Sequence, residues 1–240
     1  MLISHQKKFV FTKTKKTAGT SVESLFEPYC MEPGTWKKVH HTTERISEYG
    51  VVGYRGESGD KAYWWNHLSA AIIRERIGES VWDEYFKFTV IRNPFDKLIS
   101  GFHMIEARQL DCSLGQKIKL KVKKFLGRGR PQDHIAGETE IERFRSWLRL
   151  GGSITDRDCY MIDGEVCIDY FIRFEDLANG IEHVYEHLEI DSSAYQIPEF
   201  KSGCRNSQVP IKDYYDEETE AIVRERFGWE LRYFGYDLPK

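Results

Sequence analysis

The chain has 240 residues, a formal net charge of −3, and a composition that is 40% hydrophobic, 30% charged and 14% aromatic. That composition excludes a disordered or collagen-like chain. The net charge excludes a molecule-wide binder of polyanions, so any anion recognition has to come from local arrangement. The length suits one α/β domain or two small ones.

The amino terminus leads into an apolar run at Phe9–Phe11. The run is too short for a signal-peptide core or a membrane span, and no other stretch approaches that length, so no membrane span is expected. Lys8–Lys13 reads as a short buried strand, followed by a basic turn with one glycine and a helix opening at Thr20 or Ser21 and running towards Phe26. Pro28, Pro33 and Gly34 break it. The stretch 37–64 is polar and rich in glycine and reads as irregular surface structure. Leu68–Ile77 has helical spacing. Phe86–Ile91 is the clearest strand, ending at Arg92-Asn93-Pro94, and a helix over Phe95–Arg108 follows. Gly137–Leu150 reads as a helix closed by Gly151-Gly152, Tyr170–Phe174 as a third strand, Leu177–Leu188 as a helix, and Asp216–Phe227 as a last helix with acids early and arginines late.

Gly115–Arg130 carries seven lysines and arginines and no acid. Lys117, Lys119, Lys121 and Lys123 alternate with Ile118, Leu120 and Val122, a strand-like pattern with one basic face. It is read either as an edge whose lysines discourage pairing or as a basic insertion facing an acidic acceptor. The five cysteines, Cys30, Cys112, Cys159, Cys167 and Cys204, are scattered with no CxxC pair. They read as reduced thiols of a cytoplasmic protein, not as a zinc site. Strands separated by helices predict an α/β fold, a P-loop-like three-layer sandwich with a central, mainly parallel sheet flanked by helices, as one domain over residues 1–240.

The most informative segment runs from Phe9 to Leu25, strand to turn to helix. The turn holds Lys16, Thr17, Ala18, Gly19, Thr20 and Ser21. Glycine permits close backbone approach, and the helix start offers unpaired amides and a partial positive charge. Three hydroxyls and the Lys16 charge complete a set of donors suited to phosphate or sulfate without a metal. The pattern is not a Walker A loop, because the lysine precedes the glycine and no upstream glycine has the required spacing.

Lys16-Thr17-Ala18-Gly19-Thr20-Ser21 resembles the 5′-phosphosulfate-binding loop of sulfotransferases that use 3′-phosphoadenosine-5′-phosphosulfate (PAPS). Its form is similar to the branch that includes carbohydrate sulfotransferases, except that Lys15 stands where that branch usually has proline. Arg92-Asn93-Pro94-Phe95-Asp96-Lys97-Leu98-Ile99-Ser100 resembles the family's 3′-phosphate motif, an arginine at a strand end and a serine eight residues later. Lys97 stands where arginine is frequent. Arg92 can fork onto a phosphate with two parallel bonds, which lysine cannot. Trp82–Phe88, Tyr170–Leu177, Arg205-Asn206-Ser207 with Tyr214-Tyr215, and Phe234-Gly235-Tyr236 extend the resemblance, with Glu230 in place of the usual aspartate. It implies cofactor contacts at Lys16, Thr17, Ala18, Gly19, Thr20, Ser21, Arg92, Ser100 and Arg205.

The same resemblance implies transfer of a sulfuryl group from PAPS, leaving 3′-phosphoadenosine-5′-phosphate (PAP), to a hydroxyl or amine. In-line transfer of this kind asks the protein for positioning and charge stabilisation, with Lys16 at the breaking bond. His67 is the expected base, since an imidazole titrates near neutrality and related enzymes place a histidine ahead of this helix. His40, His41, His103 and Glu23 remain rival bases. The expected acceptor is a carbohydrate, acidic if the basic insertion faces it. No metal and no nucleic acid is expected, and the oligomeric state is not readable. A nucleotide-dependent kinase and a non-catalytic binder of phosphorylated or sulfated ligands are the alternatives. The kinase would need acidic magnesium ligands at a strand end, where this chain has Arg92.

Overall fold

The computed structural model describes residues 1–56, 62–110, 134–191 and 209–239, with backbone alone at 108–110. In chain order the strands are β1 (Leu2–Ser4), β2 (Phe9–Phe11), β3 (Arg45–Ser47), β4 (Gly50–Val52), β5 (Phe86–Ile91), β6 (Met161–Ile162), β7 (Glu165–Val166) and β8 (Tyr170–Arg173). The helices are α1 (Gly19–Phe26), α2 (Ala70–Ile77), α3 (Glu79–Glu84), α4 (Pro94–Leu110), α5 (Glu140–Arg149), α6 (Leu177–His187), α7 (Glu217–Arg226) and α8 (Gly228–Phe234). Two compact units emerge: Met1–Arg92 with Thr155–Phe200, and Asn93–Ile154 with Lys201–Lys240. The basic stretch 115–130, Cys112, Cys204 and Arg205 lie outside the described residues.

The first unit carries a sheet of six described strands in the order β3-β4-β1-β2-β5-β8. β2, β5 and β8, the three strands legible in the sequence, run parallel. β1, β4 and β3 extend the sheet antiparallel. Side chains alternate faces along each strand. Phe9, Phe11, Phe88, Val90 and Ile172 therefore share one face with Val22 and Phe26 of α1 and Ile181 and Val184 of α6. Ile3, Val10 and Val51 share the other face with Ala70 and Ile73 of α2 and Trp82 of α3. Helices thus cover both faces, as the α/β expectation requires. The Phe26 ring packs 4.9 Å from Phe88 and 5.1 Å from Tyr185, fixing α1 and with it the turn that precedes α1.

The expectation that 37–64 is irregular throughout is corrected. Arg45–Ser47 and Gly50–Val52 form a hairpin that pairs through β4 with β1. Gly50, which reads as a breaker, has φ 152°, and a Cβ there would collide with the Ile3 carbonyl. Glycine is what lets β4 lie against β1. Two helices also go beyond the expectation: α3 leads into β5, and α8 follows α7, so Asp216–Phe227 is not the last helix.

In the second unit α4, α5, α7 and α8 pack around Phe95, Phe102, Phe144, Trp147, Tyr214, Tyr215 and Leu231. Reciprocal caps start two of these helices. Thr139 pairs with Glu142 at α5, and Asp216 with Thr219 at α7, satisfying amides that no intrahelical carbonyl reaches. Among the described residues, no helix is long and apolar enough to cross a membrane.

Candidate active site

The turn between β2 and α1 has an unusual backbone. Lys16 has φ 63° and Ala18 has φ 56°, both left-handed without being glycine. Each costs roughly 1–2 kcal/mol relative to a right-handed residue. Turns that place a left-handed residue beside a right-handed one can gather backbone amides into an anion-binding concavity, and such strain collects where ligands are held. Ala18 is also the N-cap of α1, and its carbonyl accepts from Ser21 N at 2.8 Å and Val22 N at 3.1 Å. The Ser21 amide is therefore used to close the first turn. The amides of Gly19 and Thr20 fall where a helix offers no acceptor of its own.

The start of the turn is fastened to the sheet and to a later segment. Thr14 Oγ1 donates to the Val90 carbonyl and pairs with Thr17 Oγ1 at 2.9 Å. The Thr17 hydroxyl, expected to face an anion, is buried against Thr14. Lys15, at the position where proline is usual, has its amide held by the buried Asp156 carboxylate at 2.6 Å. A side-chain hydrogen bond thus restrains the backbone that a ring would have restrained. Asp156 has no motif around it in the sequence and was not expected at the site.

Arg92, at the end of β5, donates through Nη1 to the Lys16 carbonyl at 2.8 Å, and its guanidinium lies 4.0 Å from the centre of the Phe174 ring. The two motifs that resemble a donor site are therefore adjacent. Ser100 lies half-exposed on α4, in the second unit.

Beneath the turn is a buried ionic cluster that sequence reasoning missed. Lys13, 3% exposed, bonds through Nζ to Glu23 Oε2 and to Thr20 Oγ1, the latter at 3.1 Å. Arg55 Nη1 reaches Glu23 Oε2 at 2.9 Å and also Glu27 Oε1. The Met1 ammonium bonds Glu23 Oε1 at 2.5 Å. Burial acts to raise the Glu23 pKa, but the opposing charges of Lys13, the Met1 ammonium and Arg55 outweigh it and hold the carboxyl at about 2. Burial lowers the Lys13 pKa from the ordinary lysine value, against the pull of Glu23. Glu23, weighed as a rival base, is a paired structural anion.

His67 Nδ1 lies 2.8 Å from the Lys13 carbonyl. A carbonyl only accepts, so Nδ1 carries the hydrogen and Nε2 keeps a lone pair. Burial, reinforced by the Lys13 charge, lowers the His67 pKa to about 4, so the ring is neutral at physiological pH. His67 therefore has the tautomer and charge state of a base. Among its rivals, His40 has its backbone carbonyl held by Arg55 Nε at 2.7 Å and its ring 4.7 Å from that of His41. His103 is buried on α4, with Nε2 3.5 Å from the Tyr214 hydroxyl and 3.6 Å from Glu140. Of the aromatic run, Trp64 is core, Tyr63 is exposed under Arg76, and Trp65 is half-buried. The Trp65 ring stacks on Tyr54 at 6.1 Å and sits 6.5 Å from His67.

A parallel three-strand core, a turn with two left-handed non-glycine residues at a helix start, and a strand-end arginine bonded to that turn define an α/β protein whose turn has donor types suited to an anion such as phosphate or sulfate. The sulfotransferase family model matches residues 1–237, and the chain belongs to that family. No curated protein and no solved structure shows significant similarity to the chain. Family membership makes sulfuryl transfer its general chemistry.

Proposed function

We propose that the protein transfers a sulfuryl group from PAPS to a hydroxyl or amine acceptor, on the carbohydrate-directed branch of its family. The observation that carries the reading is the left-handed pair Lys16 and Ala18 with Arg92 bonded to the Lys16 carbonyl. The residues present fit the donor. The amides of Gly19 and Thr20, the Thr20 hydroxyl and Lys16 suit a 5′-phosphosulfate, and Arg92 suits a 3′-phosphate, while Ser100 and Arg205 are carried over from the family resemblance alone. The family match over 1–237 covers residues of both compact units, which supports reading 1–240 as a single sulfotransferase domain.

PAPS, when bound, supplies the sulfuryl group on a phosphate leaving group. Lys16 stabilises negative charge developing on the bridging oxygen. His67 Nε2 takes the acceptor's proton, and the Nδ1–H bond to Lys13 keeps the ring oriented as it does so. Trp65, a half-buried aromatic ring 6.5 Å from His67, supports a carbohydrate acceptor. The cytoplasmic assignment rests on Cys30, Cys159 and Cys167, each a free thiol.

The test is transfer of radiolabel from ³⁵S-PAPS to a panel of glycans, amino sugars and phenols, with calorimetry of PAP binding beside it. Label on a sugar together with PAP binding is expected. A protein that binds no PAP and labels no acceptor would overturn the reading.

A further inference from the structure

We propose that Lys13 is a positioning residue that turns the Thr20 hydroxyl into an obligate outward donor for the bound anion. The inference rests on the PAPS reading above and adds to it a residue that neither motif contains. Lys13 leaves β2 and runs beneath the turn. Its Nζ donates to Thr20 Oγ1 at 3.1 Å, while Glu23, itself 0% exposed, anchors the same ammonium from the other side.

Hydrogen-bond inventory then fixes the direction. An ammonium is donor only, so Thr20 Oγ1 must accept from it. A hydroxyl carries one hydrogen, and with Lys13 occupying a lone pair that hydrogen points elsewhere. Thr20 is half-exposed in the first turn of α1, on the same turn as the amides that would face a phosphate. The Glu23 and Arg55 contacts keep the ammonium from wandering. Glu23 pairs with the Lys13 charge, and what the Lys13–Thr20 contact supplies is orientation of the hydroxyl.

The glycine of the turn belongs to the same arrangement. A Cβ at Gly19 would lie 2.9 Å from Lys13 Cγ and 3.0 Å from Lys13 Cε. The Gly19 backbone is not left-handed, so the residue is required by the lysine stem beneath it. The Lys13 carbonyl meanwhile receives His67 Nδ1. One residue therefore touches the donor turn with its side chain and the base with its backbone.

The experiment is a double-mutant cycle on PAP affinity by calorimetry, using the full chain with Lys13→Met, Thr20→Val and the pair, and thermal melting of each. Each single change is expected to weaken PAP roughly tenfold to a hundredfold, the range for one hydrogen bond to a charged group. The pair is expected to bind no worse than Thr20→Val alone, because Lys13 acts through that hydroxyl. Thr20→Ser keeps the hydroxyl and should restore most of the affinity and of the sensitivity to Lys13. If Lys13→Met does not fold, Lys13→Gln enters the same cycle under the same criterion. Losses that multiply, or a Lys13 change that lowers the melting temperature and leaves PAP affinity intact, overturn the positioning role and leave the PAPS reading standing. Absence of PAP binding in the unaltered protein overturns both.

Discussion

Arg92 Nη1 donates a 2.8 Å hydrogen bond to the carbonyl oxygen of Lys16, joining two motifs 76 residues apart in the chain. The contact falls on a residue whose backbone is left-handed. Arg92 thereby helps hold the turn in its left-handed conformation.

Replacing Arg92 by lysine should act more like a deletion than a conservative change. Lysine cannot bond the Lys16 carbonyl and a phosphate in one plane. PAP affinity measured by calorimetry should fall by about tenfold to a hundredfold in Arg92→Lys, and at least as far in Arg92→Ala. Affinity unchanged in Arg92→Ala would remove this residue from the donor site.

Lys16→Ala should lower kcat by about a hundredfold to a thousandfold, the usual effect of removing one preorganised donor to developing charge. PAP affinity should change much less, since the charge Lys16 offsets develops only as the bond breaks. Steady-state kinetics beside PAP calorimetry separates the two. An equal loss in both would make Lys16 a binding residue only.

His67 makes a prediction with a sign. Its pKa in the fold is about 4, below the ordinary histidine value of 6.5. Turnover of a hydroxyl acceptor should therefore persist below pH 6 and fall as pH drops through about 4, while His67→Gln should lose turnover by roughly a hundredfold or more and keep PAP binding. The unfolded chain takes up a proton at this residue between pH 6.5 and about 4 and the folded chain does not, so stability should decline as pH falls across that window. The decline should be shallower in His67→Gln, read by chemical denaturation at successive pH values.

Glu23→Gln should destabilise the fold by about 3–5 kcal/mol, because Lys13 and Arg55 would be left as buried charges short of a partner. The Glu23 carboxyl sits at about 2, below its ordinary 4.5. Its contribution to stability is therefore complete above pH 4.5 and lost as pH falls towards 2. A urea titration that placed the variant within 1 kcal/mol of the parent would show that the cluster is dispensable.

Trp65→Ala should raise the acceptor KM several-fold, in line with the roughly 0.5–1.5 kcal/mol that aromatic packing contributes. PAP affinity should be untouched. A fall in PAP affinity instead would place Trp65 at the donor end.

Much of the frame was readable along the chain. Phe86–Ile91 is a strand over the predicted span, and the turn at Lys16–Ser21 leads into α1 as its residue types require. These features are local: alternation, a proline, a glycine, hydroxyls ahead of a helix. The hairpin of β3 and β4 was not readable, because Arg45-Ile46-Ser47 is exposed and too short to carry a periodic signal, and what stabilises the pair is β1, more than 40 residues away.

The sequence by itself therefore determined the turn at Lys16–Ser21, the strand-end arginine, the parallel core and, through them, the family. Tertiary structure alone decided the ionic cluster of Lys13, Glu23 and Arg55, the Asp156 brace on Lys15 and the neutral state of His67. A charged residue in a sequence reads as solvated, because burying it unpaired is prohibitive. It becomes buried only when opposite charges arrive from distant parts of the chain, and their arrival is a property of the fold.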